Sequence, residues 1–231
     1  KTQPKLLTAF TIGSILLFLS ALTLVFLYAP LEIVMNYVQK IFYFHIATAW
    51  VGMLGFITAA IAGIGYLITK NLKWDIIEEA AVEISLVFFF IAIVTGSIWA
   101  RPTWGTWWTW DARLTTAAIL EMIYLSYLLL RQGIEETERR ARFSAVYTIL
   151  GGISVPVTFL SIRLWQTIHP AIIGGQNQGA EGSFGMTEPM LFTMVFCLLT
   201  FTMIFITLLW HRIRIGKMVV KVEEMRIVNL D

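Results

Sequence analysis

Four of the nine tryptophans in this 231-residue chain fall within seven residues, in the string WGTWWTWDARLT at 104–115. Asp111 and Arg113 follow directly behind the last indole. If this stretch is helical, Trp104, Trp107, Trp108 and Asp111 obey i, i+3, i+4, i+7 spacing and share one face. Such a face is a rigid apolar slab with one acidic end, suited to a large, flat, apolar ligand. The alternative is an interfacial aromatic belt, because tryptophan is enriched at both surfaces of a bilayer. A belt has no use for Gly105 or for the Asp-Ala-Arg behind it, which favours a ligand platform.

The chain has three histidines. His45, in YFHIATAW, and His169, in RLWQTIHP, lie on either side of the tryptophan string; His211 stands beside Arg212 and Arg214 and reads as a cation snorkelling at a helix end. Two imidazoles from separate helices, with indoles between them, suit haem b held without a covalent bond. Haem is flat, apolar and anionic at one edge, and its iron accepts an imidazole on each face. His45 and His169 are therefore the candidate metal ligands, and Trp104, Trp107 and Trp108 the surface packed on the macrocycle. Arg101 and Arg113 flank the platform and suit the propionates. Zinc fits less well, since no cysteine or nearby acid completes a tetrahedral set. The single cysteine, Cys197, lies in an apolar stretch, and no Cys-x-x-Cys-His is present for thioether attachment. Nothing marks a catalytic residue, so the chain does not read as a stand-alone enzyme.

The elements that must position these residues are membrane helices. The chain is 58% hydrophobic and 14% charged, with a mean hydropathy of +0.75, where soluble domains carry about 25% charged residues. The expected class is an all-α, polytopic integral membrane protein forming one domain over 1–231. Six apolar stretches qualify as spans: 6–27, 41–68, 80–99, 114–130, 143–162 and 189–209. Lysines and arginines in alternate loops divide thirteen to four in favour of the side bearing both termini. The positive-inside rule puts that side in the cytoplasm. The tryptophan loop 100–113 and the loop 163–188 then face outward. The second span, 28 residues long, runs about 42 Å against a core of about 30 Å, so its first turns, with His45, are expected at the outer surface. Gly52, Gly55, Gly63 and Gly65 suit close helix packing, and Gly151, Gly152 and Pro156 suit a bend in the fifth span. Glu121 is a carboxylate two turns into the fourth span, either functional or a protonated partner of a neighbouring helix. Glu83, near the inner end of the third, reads as reaching the surface and has no assigned role. No basic run suggests nucleic acid, and no G-x-x-x-x-G-K-[ST] makes the chain itself an ATPase.

The string WGTWWTWDARLT closely resembles the tryptophan-rich "WWD" signature of the haem-handling proteins of cytochrome c biogenesis. Its Asp-Ala-Arg-Leu-Thr ending, the lead-in TGSIWARP at 95–102, the string LWQTIHP at 164–170 and the six spans are similar to cytochrome c maturation protein C, the haem exporter protein C family. The resemblance implies a bacterial inner-membrane protein that presents haem on the periplasmic side, with His45 and His169 as axial ligands. It implies haem contact for Trp104, Trp107, Trp108, Trp110 and Asp111. It also implies partners: a periplasmic haem chaperone that receives the haem, the ATPase and membrane subunits of an ABC transporter, and a small single-span membrane protein. One departure is visible, since the family pattern has an acidic residue where this chain has Ala117, and Glu121 lies one turn later on the same face. Two other readings of the residues remain: a b-type electron-transfer anchor, which generally buries its histidines mid-span, and a small-molecule permease with an aromatic vestibule.

Overall fold

The computed structural model describes residues 3–33, 35–170 and 186–228. Its helices are α1 (Lys5–Thr23), α2 (Gln39–Thr69), α3 (Leu72–Trp104), α4 (Ala112–Gln132), α5 (Thr137–Leu164) and α6 (Glu188–Val228). Six segments are long and apolar enough to cross a membrane, as the hydropathy pattern predicts. Of the loop 163–188, residues 171–185 lie outside the described residues.

α2 is the central helix, packed along α3 and touching α5 and α6. Its glycines let the backbones approach. A Cβ at Gly52 would stand 2.7 Å from Phe89 Cβ, and one at Gly63 would stand 2.9 Å from the Ala145 carbonyl oxygen. Gly151 and Gly152, expected to bend the fifth span, are contact points within α5, against Tyr124 and Ala60. One apolar cluster, including Phe42, Tyr43, Phe88, Cys197 and Phe201, joins α2 and α3 to α1 and α6. A second, including Phe56, Phe89, Leu120 and Tyr124, joins α2 and α3 to α4 and α5. At its centre Phe56 and Tyr124 stack 3.8 Å apart.

α1 ends in a π turn, Leu24–Tyr28, which leaves carbonyls that the helix ladder does not use. The buried Lys40 ammonium donates to two of them, Val25 O and Ala29 O, at 2.6 Å each, and ties α1 to the start of α2. α3 begins at Leu72 rather than at residue 80. Asn71 caps it by accepting the Lys73 N–H, and the charges of its first turns find partners. Arg131 donates to both oxygens of Asp75 and to Ser144 Oγ. Arg212 donates to both oxygens of Glu83, which gives Glu83 the structural role that its position alone did not suggest. Removing one member of the buried Arg131–Asp75 pair costs about 3–5 kcal/mol, because the other charge is left without compensation. His211 is hydrogen-bonded to Thr11 at 2.9 Å and so joins α6 to α1, rather than simply snorkelling. The contacts of Arg131, Arg212 and His211 gather at one end of the bundle, whereas the Lys40 tie lies at the other. That second end holds the last turns of α3 and α5 and the first turns of α2, α4 and α6.

Candidate functional site

α3 stops at Trp104. Gly105 adopts a left-handed conformation, φ +72°, and its N–H closes on Arg101 O at 3.1 Å. That conformation suits glycine and ends a helix. The Arg101 guanidinium folds back onto the Gly105 carbonyl, so this arginine caps its own helix. Residues 105–111 are not helical. The helical face expected for Trp104, Trp107, Trp108 and Asp111 therefore does not form, because Gly105 breaks the periodicity after its first member. The indoles divide instead. Trp104 and Trp108 line a cavity, whereas Trp107 and Trp110 are 57% and 77% exposed, with Trp110 packed edge-on against Trp108.

His45 and His169 line the same cavity, although 124 positions separate them in the chain. Their ring centres are 6.4 Å apart and tilted by 43°. His45 Nδ1 lies 2.9 Å from Ala92 O, and His169 Nδ1 lies 3.1 Å from Pro170 O. A carbonyl only accepts, so in both rings Nδ1 carries the proton and Nε2 keeps its lone pair. A backbone acceptor behind Nδ1 is the usual way to orient an imidazole towards a metal. Gly96 makes room for the first ring: a Cβ there would stand 2.8 Å from His45 Cε1. His169 packs edge-on against Trp104. Desolvation, with the nearby Arg113 guanidinium and His45, lowers its pKa to about 3. The ring is therefore neutral, and able to donate electrons, throughout the physiological range.

His169 has no helix of its own; it follows the end of α5 and is held by Asp111. One Asp111 oxygen caps α4 by accepting the Leu114 N–H at 2.9 Å. The other accepts the Thr167 hydroxyl and, at 3.2 Å, the Ile168 N–H. The Thr167 hydroxyl oxygen in turn accepts the His169 N–H at 3.1 Å. A single carboxylate thus fastens the segment carrying one imidazole to the start of α4. Arg113, two residues on, lines the cavity and donates to the Thr158 carbonyl of α5.

Several site residues were not singled out from the sequence. Trp99 is buried, lines the cavity and packs edge-on against Trp104. The indole N–H groups of Trp99 and Trp108 are buried with no hydrogen-bond partner among the described residues. Ala92, Gly96 and Trp99 are spaced i, i+4, i+7 and lie on the α3 wall of the cavity; Gly96 and Trp99 fall within TGSIWARP, and Ala92 stands three residues before it. Thr167, inside LWQTIHP, is the other omission. Ala117 lines the cavity, whereas the buried Glu121, one turn on, does not. Among the described residues no group of three or more His, Cys, Asp or Glu is placed to hold a metal ion.

Comparison with known proteins gives a consistent result. A family model described as heme exporter protein C, CcmC, matches residues 1–228. The heme exporter protein C of Bradyrhizobium diazoefficiens is 35% identical over 170 residues, which is 73% of this chain and 63% of that protein. The protein of the same name from Escherichia coli K12 is 31% identical over 142 residues, 62% of this chain and 58% of that one. That of Rhodobacter capsulatus is 28% identical over 218 residues, 93% and 87% of the two chains. The match thus spans somewhat under two thirds of the length of the first two relatives.

Proposed function

The chain belongs to the haem exporter protein C family, and from that premise we propose that its histidine end takes up haem reversibly and hands it to a partner. The observation that carries this reading is the imidazole pair. A first-row metal sits about 2 Å from a coordinating imidazole nitrogen, so two imidazoles on opposite sides of one ion have ring centres roughly 6 Å apart. The separation here is 6.4 Å, with both Nδ1 atoms already engaged and both Nε2 atoms free to coordinate. The unpartnered indole N–H groups of Trp99 and Trp108 and the guanidinium of Arg113 are donors suited to an anionic edge, within a wall that is otherwise apolar. Haem is the cargo that combines these properties.

In this reading His45 and His169 are the axial ligands, and Trp104 and Trp108 supply apolar contact. Asp111 acts on His169 rather than on the cargo. Trp107 and Trp110 stand at the surface, where an incoming partner meets the porphyrin edge. Two imidazole bonds are reversible, and Cys197 is buried in α6, so the chain holds its cargo without a thioether. Covalent attachment belongs to the receiver, a periplasmic haem chaperone. The ATPase and membrane subunits of an ABC transporter and a small single-span protein complete the assembly. The thirteen-to-four charge division supports an orientation with both termini in the cytoplasm of a bacterial inner membrane, and the site on the periplasmic side. Imidazoles at one end of the bundle, with none at mid-span, disfavour an electron-transfer anchor.

The test is the visible spectrum of the purified chain. The wild type should show a low-spin, six-coordinate Soret band. His45→Ala and His169→Ala should each give weakened, five-coordinate haem, and the double variant should lose most of it. On a denaturing gel the haem should leave this chain completely; with the chaperone co-expressed, it should appear as a smaller covalent adduct. Unchanged low-spin spectra in both single variants, or haem that survives denaturation on this chain, would refute the reading.

A further inference from the structure

We infer that the projecting end of α6 is a docking helix for the apolar, acidic-rimmed groove of a cytoplasmic protein. The inference rests on the orientation proposed above. α6 has 41 residues, about 62 Å at 1.5 Å per residue, twice the hydrocarbon core of about 30 Å. Its exit is braced against α3. Arg212 is paired with Glu83 and Glu79 of α3, and four residues later Gly216 lies so close to α3 that a Cβ would stand 2.6 Å from Ile76 Cγ2. Beyond that point α3 has nearly reached its own first residue, Leu72, and the helix continues alone.

The continuing segment is patterned. Ile215, Met218, Val219, Val222 and Met225 recur at i, i+3, i+4, i+7 and i+10, and each is 49–61% exposed. Arg214, Lys217 and Lys221, spaced i, i+3 and i+7, form a basic edge along one side of this stripe, while Glu223 flanks its other side and Glu224 follows Lys221 at i+3. Apolar anchors at this spacing on a projecting helix are the helix-in-groove mode of recognition.

Three occupants are conceivable, and two are disfavoured. Met225 lies thirteen residues past the Arg212 ion pairs, about 20 Å along the helix, whereas the polar zone of a bilayer extends only about 5–8 Å beyond the core. A helix that continues past Gly216 therefore carries Val222 and Met225, about 15 and 20 Å beyond Arg212, out of the reach of lipid, and only Ile215 stays within the polar zone. A second copy in the same membrane is restricted to parallel pairing. With Ile215, Met218, Val222 and Met225 at the seam, Lys221 of one copy would face Arg226 of the other, an unfavourable flanking pair. A heterologous groove with acidic residues on its rim satisfies both the stripe and the basic edge.

The test uses the full chain in its native membrane. Benzoylphenylalanine placed at Val222 should photo-cross-link to a protein exposed to the cytoplasm. Placed at Val220, off the stripe, it should cross-link roughly ten-fold less. Combining Lys217→Glu with Lys221→Glu should reduce the Val222 product by roughly ten-fold or more, and changing the nearest acidic residue of the captured protein to lysine should restore it. Haem absorption of the purified chain should be the same in all these variants. A product with lipid, a product of twice the chain's mass, no product, or one indifferent to the charge changes would overturn the proposal. Lys221→Cys labelled by an impermeant thiol reagent only after the inner face is opened, without a charge-dependent cross-link, would overturn docking alone. Labelling of Lys221→Cys from outside would overturn the orientation as well.

Discussion

Asp111→Asn separates two roles that a carboxylate at this position could have: touching the cargo, or holding the residue that does. The amide oxygen of asparagine caps a helix about as well as the carboxylate does, so the bond to the Leu114 N–H survives and α4 starts where it did. What changes is the other oxygen, which accepts the Thr167 hydroxyl and the Ile168 N–H. Its replacement by an NH2 group turns one acceptor into a donor facing the Ile168 N–H, and the charge assistance of both bonds is lost. Hydrogen bonds to charged groups contribute about 1.5–3 kcal/mol, against about 1 for neutral ones. A net loss on the order of 2 kcal/mol in holding the 165–170 segment corresponds to roughly 30-fold in an equilibrium constant. His169 should therefore detach first, and a haem titration should show about 30-fold weaker retention with a shift from six- to five-coordinate absorption. Thr167→Val removes the bond to Asp111 and also leaves the His169 N–H without its hydroxyl acceptor, so it should shift the spectrum in the same direction by about 5- to 30-fold, roughly 1–2 kcal/mol. The two changes act on one contact, so the double variant should fall well short of the product of the single effects. If Thr167→Val is silent while Asp111→Asn is severe, Asp111 contacts the cargo directly and the clamp is wrong. If Asp111→Asn keeps the wild-type spectrum and affinity, neither role stands.

Trp108→Ala should weaken haem retention by at most about 30- to 150-fold, the equivalent of 2–3 kcal/mol of aromatic burial, whereas Trp107→Ala, at an exposed position, should stay within a few-fold of wild type in the same titration. Recovery in Trp108→Phe would assign the effect to contact area, and failure to recover would assign it to the indole N–H. Gly96→Ala should press on the His45 ring and disturb its bond to Ala92, seen as a partial loss of six-coordinate absorption while helical circular dichroism is unchanged. Retention should be level above pH 6.5 and decline as the pH falls towards 3. The pKa of His169 is lowered in place, so the released segment takes up a proton first and the held arrangement loses stability across that window; a rise in retention on acidification would contradict this. Thr106→Cys should react with a membrane-impermeant thiol reagent in spheroplasts and Arg140→Cys should not, and the reverse result would invert the orientation and move the site to the cytoplasm.

Much of the fold was legible because membrane spans are written locally. About 20 consecutive apolar residues suffice to mark one, and each of the six stretches became a helix. The boundaries were less legible. Asp75 and Glu79 lie outside the third apolar stretch as read from the sequence, yet α3 includes both, and Arg131 reaches them from 56 and 52 residues away. A charge that ends a span on composition alone can continue one when its partner is supplied by another helix.

The site was legible in its members more than in its arrangement. The two histidines and the tryptophan string are conspicuous by type, and both histidines converge with two of its four indoles, Trp104 and Trp108. Their geometry depends on one backbone torsion: the left-handed Gly105 ends α3 at Trp104 and turns the following indoles apart. Helical periodicity cannot register this, because it assumes that the helix continues. A glycine just inside a run that otherwise fits a helix is the available signal, and it lies in the middle of WGTWWTWDARLT. The role of Asp111 was hidden for a different reason. Beside a row of indoles a carboxylate reads as part of the binding face, and only the position of Thr167 and Ile168, 56 and 57 residues downstream, shows that both of its oxygens are already in use. The same comparison separates the arginines: Arg101 and Arg113 flank the string symmetrically in sequence, yet one closes its own helix end and the other reaches the cavity. Residue type and spacing thus single out the groups suited to a flat anionic metal chelate under the proposed function. Which of them reach it, and which hold the others in place, is decided by contacts between segments far apart in the chain.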